Sequence, residues 1–128
     1  MRHLLFAFGA LVLAQPAPAQ DITDDVAYVL RCHFSRSCSG GGCGEENHDI
    51  LLEVEGAGAT LRDETQELAL SGGIDTATGQ VSFVSEPADN ASYFVSVFEE
   101  GGALMTTHTQ AEGKPLGITF DGACWEDS

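Results

Sequence analysis

Apolar residues in this chain recur with a period of two, in runs that stop at glycine or proline before they reach the length of an ordinary helix. Alternation of that kind puts successive side chains on opposite faces of a strand, so each run has one face to bury and one to hydrate. In Asp49-Ile50-Leu51-Leu52-Glu53-Val54-Glu55 the apolar face is Ile50, Leu52 and Val54, and the polar face is Asp49, Glu53 and Glu55. Only Leu51 breaks the period, and Gly56 and Gly58 end the run.

The same reading extends along the chain. Val26 to Phe34 is a β-compatible run leading into Ser35–Gly44, whose glycines at 40–42 read as a loop. Gly72-Gly73 and Asp75–Gly79 read as turns, and Gln80–Ser85 alternates until Pro87. Ser92–Phe98, Ala103–Thr109 and Leu116–Phe120 form an antiparallel meander, with turns at Glu99-Glu100-Gly101-Gly102 and Ala111–Pro115. Thr60–Leu70 fits strands or one or two helical turns, and strand is preferred. The acidic ends, Asp21–Asp25 and Asp121–Ser128, match no calcium loop and read as frayed termini. The fold class is therefore all-β: a small antiparallel barrel or sandwich of roughly six to eight short strands.

Arg2 and His3, the apolar run Leu4–Leu13 and the small-x-small site Ala17-Pro18-Ala19 make residues 1–19 a cleavable secretory signal peptide. The run is too short to span a bilayer, and the mature chain, residues 20–128, is long enough for one domain. The position of the first cysteine, well past the cleavage point, speaks against a lipid anchor. Periplasmic or secreted localisation is expected.

The chain has 5 Lys+Arg against 20 Asp+Glu, a net charge of −15, and loss of Arg2 with the leader makes it more negative still. Such a surface repels nucleic acid and anionic membranes and favours a basic protein as partner.

Export puts Cys32, Cys38, Cys43 and Cys124 in an oxidising compartment, where an even cysteine number in a small domain reads as disulfides. Cys38 and Cys43 flank the glycine-rich segment, and Cys32 and Cys124 end the first and last expected strands. The expected pairs are Cys32–Cys124 and Cys38–Cys43. Zinc is the rival, because Cys32, His33, Cys38, Cys43 and His48 lie close in sequence, but their spacing is not that of a zinc ribbon. His33, His48 and His108 form a metal site only if the fold brings them together; scattered surface or packing histidines are the simpler expectation. No metal or cofactor is assigned.

No nucleophile elbow, HExxH, P-loop or dinucleotide fingerprint occurs, and the many acids do not single out a catalytic pair. Asn90-Ala91-Ser92 fits a glycosylation sequon and reads as a turn before a strand. Trp125, the only tryptophan, either caps the core beside Cys124 or anchors a partner.

The signal peptide, Tyr28-x-x-x-Cys32, the meander and the late Cys124 together resemble small periplasmic β-proteins of proteobacteria. Among characterised families the layout is most similar to the periplasmic C-type lysozyme inhibitors. That resemblance implies a small antiparallel barrel and, at Ser92 and Tyr93, a counterpart of the inhibitors' Ser-Gly-x-x-Tyr loop. The motif's glycine is absent here, and Val97, Phe98, Glu99 and Glu100 stand where a tryptophan and lysine segment would follow. The expected function is a non-enzymatic acidic β-domain binding a partner, with inhibition of a cationic hydrolase such as C-type lysozyme as the alternative. Ser92, Tyr93 and Trp125 are the candidate partner contacts.

Overall fold

The computed structural model describes residues 27–127. Residues 1–19, expected to be a signal peptide, and Asp21–Asp25 lie outside the described residues. The strands are β1 (Ala27–Ser39), β2 (Gly42–Glu55), β3 (Gly58–Arg62), β4 (Glu67–Ile74), β5 (Val81–Ser85), β6 (Ser92–Val97), β7 (Gly102–Ala111) and β8 (Lys114–Glu126). Each pairs antiparallel with the next, and β8 returns to pair with β1, closing an eight-stranded up-and-down barrel. Barrel, not sandwich, is the outcome of the two architectures expected.

Eight strands enclose a space just wide enough for side chains to fill. Phe34, Ile50, Leu52, Leu61, Phe83, Val95 and Met105 fill it, each almost completely removed from solvent. Among the described residues no buried side-chain nitrogen or oxygen lacks a hydrogen-bond partner. Ion pairs lie on the outside: Arg31–Asp127 at 3.0 Å, and Arg62 with Glu53 at 2.8 Å and with Glu67 at 3.0 Å. An apolar interior and an ion-paired exterior are the reverse of a membrane-spanning barrel. No helix among the described residues is long and apolar enough to cross a membrane.

Three segments depart from the sequence reading. Ser35–Gly44 is not a loop: β1 continues to Ser39, Gly40-Gly41 makes the turn, and β2 starts at Gly42. The extension holds because β8 lines the other edge of β1, with Ser37 opposite Phe120 and Cys38 opposite Thr119. Asp121–Glu126 is strand rather than frayed end for the same reason. Gly72-Gly73 does not reverse the chain but lies within β4, opposite Phe83 and Ser82. A Cβ on Gly72 would overlap the Ser82 carbonyl oxygen, and one on Gly122 of β8 would overlap that of His33. Both glycines let strands approach closely where the sheet coils to close. In Thr60–Leu70 the preferred strand reading holds, as β3 and β4 with a tight turn over residues 63–66.

Strand length is uneven, and that shapes the molecule. β2 pairs with β3 only from Leu51 to Glu55, and β7 with β6 only from Ala103 to His108. Beyond those points β2, β1, β8 and β7 continue as a sheet projecting past the rim, after a register shift between Phe34 and Arg36.

Candidate functional site

Both expected disulfides form, and they differ in surroundings. Cys32 and Cys124 stand opposite each other on β1 and β8, facing the barrel interior, 0% and 7% exposed. Cys38 and Cys43 are opposite each other across the β1–β2 hairpin, on the outer face of the projecting sheet.

The histidines do not converge. His33 faces outward on β1, its Nδ1 2.8 Å from Asp49 Oδ1. His48, one step along β2, faces inward at the rim, its ring 5.5 Å from that of Phe120 and 6.4 Å from that of Phe34. His108 lies on the exposed face of β7, opposite Ser92 and Gly117. No group of three or more metal-ligating side chains occurs among the described residues.

Ser92 opens β6, half-buried, and Tyr93 is the first inward side chain of that strand, packed against the core. The Tyr93 amide donates to Ser85 Oγ at 2.8 Å, and Gln66 Nε2 donates to its phenol oxygen at 3.2 Å. Tyr93 is thereby held within the sheet. Trp125 is no core cap: Cys124 points inward, so alternation turns Trp125 outward, half-exposed and opposite Arg31.

At the rim beside His48, Asp63 organises the β3–β4 turn. Its Oδ1 accepts from the Thr65 amide at 2.7 Å, the Thr65 hydroxyl at 2.9 Å and the Gln66 amide at 3.0 Å, and its Oδ2 accepts from Gln66 Nε2 at 3.2 Å. His48 Nε2 is 3.9 Å away, and the Asp63 side chain is only 6% exposed. Burial by itself raises the carboxyl pKa, but the hydrogen bonds from Thr65 and Gln66 together outweigh it and hold Asp63 below its ordinary value. Asp63-x-Thr65-Gln66 is a sequence that makes an Asx turn, a signal that the reading of Thr60–Leu70 as strand did not use. At the opposite rim, burial and then Glu126 push the Tyr28 phenol up, beside an open recess of about 460 Å³ that Tyr28 shares with Glu53 and Thr60.

The outer face of β5, β6 and β7 is the largest surprise. Val84 is opposite Phe94, and Phe94 is opposite Thr106. Phe94 is 50% exposed, and Val84 and Leu104 nearly as much. Asp121 stands across from Leu104, and Glu86 follows the end of β5. The signal was present in the sequence: Phe83-Val84, Tyr93-Phe94 and Leu104-Met105 each put an apolar residue in the polar phase of an alternating strand.

Comparison of the chain with protein-family models, with curated proteins and with solved structures finds no match in any of the three.

Proposed function

We propose that the protein is a non-enzymatic, periplasmic or secreted binding module, needing no cofactor, whose outer β5–β7 face takes a basic protein. The observation that carries this reading is the exposed pair of Val84 and Phe94, with Leu104 diagonal to Phe94 on β7 and Asp121 and Glu86 bordering them, on a barrel whose interior is filled by its own side chains. A filled barrel leaves recognition to its surface. Exposed large apolar side chains at the centre of a patch, with charge around them, are the pattern of an interaction surface. The net charge of −15 selects a partner of opposite sign and disfavours a second copy of the chain.

The test is capture from periplasmic or extracellular extract by the purified mature protein, at low and at near-physiological salt, beside Phe94→Ser. A basic protein should be retained by the unaltered chain, released as the Debye length shortens to about 8 Å, and not retained by the variant. An acidic partner, or retention indifferent both to salt and to Phe94, would sink the proposal. A lysozyme inhibition assay run alongside addresses the inhibitor alternative. Inhibition lost on Ser92→Ala or Tyr93→Ala, with the fold intact, would put that alternative first.

A further inference from the structure

The two disulfides occupy opposite extremes of accessibility, and the outer one sits where a nucleophile can reach it. Cys43 is exposed and lies on the stretch of β2 beyond Leu51, which has no strand on its far side. Gly42 and Gly44 on either side of it in β2, and Gly40-Gly41 in the turn, carry no side chain that could cover it. A shallow groove lined by Ser35, Arg36, Cys43, Gly44 and Glu45 runs beside the bridge. Arg36 forms no ion pair within 4.0 Å among the described residues, although Glu45 and Asp121 stand across from it on either side. Cys38, by contrast, is half-buried and flanked by Thr119 of β8.

We propose that Cys38–Cys43 is a thiol-exchange site, opened by a dithiol reductant, that switches the tip of β2 between a clamped and a loosened state. Disulfide exchange requires a thiolate to attack one sulfur in line with the bond while the other leaves. The incoming thiolate attacks Cys43 Sγ; the Sγ–Sγ bond breaks, a mixed disulfide forms at Cys43, and the electron pair departs on Cys38 Sγ, which takes a proton from water. The reductant's second thiolate then attacks its own sulfur in the mixed disulfide. The Cys43 thiolate is released, the reductant leaves as a disulfide, and two electrons have passed to the protein. Cys32–Cys124 does not take part, because its sulfurs face the packed interior.

The consequence falls on β2. With the bridge cut, β1 keeps β8 along its other edge, whereas Gly42–Glu45 of β2 keeps only its pairing with β1. That stretch also contains two glycines and adjoins Gly40-Gly41, so its folded conformation is weakly favoured.

Under native conditions the protein is treated with dithiothreitol, quenched with iodoacetamide at intervals and mapped by mass spectrometry, with hydrogen exchange measured in parallel. Cys38 and Cys43 should be alkylated at least ~100-fold faster than Cys32 and Cys124, whose reduction must wait for barrel opening. Exchange at Gly42–Glu45 should rise at least ~10-fold, with Ile50–Val54 unchanged, since local opening is confined to weakly held segments. Cys38→Ser/Cys43→Ser should show the same fast exchange without reductant. Equal alkylation rates at all four cysteines, or exchange at the tip unchanged by reduction and by the double variant, would overturn the proposal.

Discussion

A single carboxylate, Asp63, terminates four hydrogen bonds at the β3–β4 turn. Asp63→Ala leaves the Thr65 and Gln66 donors without that acceptor and should destabilise the fold by on the order of 1–2 kcal/mol in denaturant titrations. Because its folded pKa is lowered, the charge-dependent part of its contribution is present above the ordinary value of 3.8 and is lost as pH falls through the lower folded value. Compared with Asp63→Asn, the unaltered protein should therefore be more stable at neutral pH, and the gap should narrow in acid. Glycines divide as sharply. Gly122→Ala forces a methyl against the His33 backbone and should cost the upper end of about 1–3 kcal/mol. Gly44→Ala meets open space and should stay within about 0.5 kcal/mol. Thermal melts of the two variants check this contrast, and equal losses would refute the close-approach account of Gly122.

Among the elements, those with clean alternation are legible in the sequence. Ile50, Leu52 and Val54 are buried as their spacing requires, and the meander of β6, β7 and β8 has the turns its glycines mark. What composition hid was decided by partners distant in sequence. Ser35–Ser39 looks like loop because serine and glycine favour turns locally, yet β8 supplies the edge that makes it strand. Gly72 looks like a turn because the close approach of Ser82 and Phe83 has no local signature. The outer patch was half-legible: Phe94 in the polar phase was visible, but its alignment with Val84 depends on register between strands. Pairing of the cysteines was readable, and their energies follow from separation. Cys32–Cys124 closes a loop with a sequence separation of 92, and Cys38–Cys43 one of 5. On the chain-entropy model these correspond to roughly 4–5 and about 2 kcal/mol. Double alanine variants of each pair, compared by guanidinium unfolding, should rank in that order.

At the scale of the whole molecule, the barrel is a ring with one seam. Seven of its eight strand pairings join neighbours in sequence, and the eighth joins the first strand to the last. Such a seam forms late, because its loop-closure entropy is the largest. Refolding from the reduced chain with iodoacetamide quenching should accordingly yield molecules bridged only at Cys38–Cys43 before any bridged at Cys32–Cys124. Until the seam closes, β1 and β8 each present an unpaired edge, and Val29-Leu30 and Ile118-Thr119-Phe120 lie on those edges. Edges of that kind recruit strands from other chains. Two half-finished rings can complete each other, β8 of one sealing β1 of the next, so the fold carries a built-in route to domain-swapped dimers and longer chains when it is crowded before closure. The buried Cys32–Cys124 bridge then records the outcome covalently: formed within one chain it makes the barrel permanent, and formed between two it makes the swap permanent.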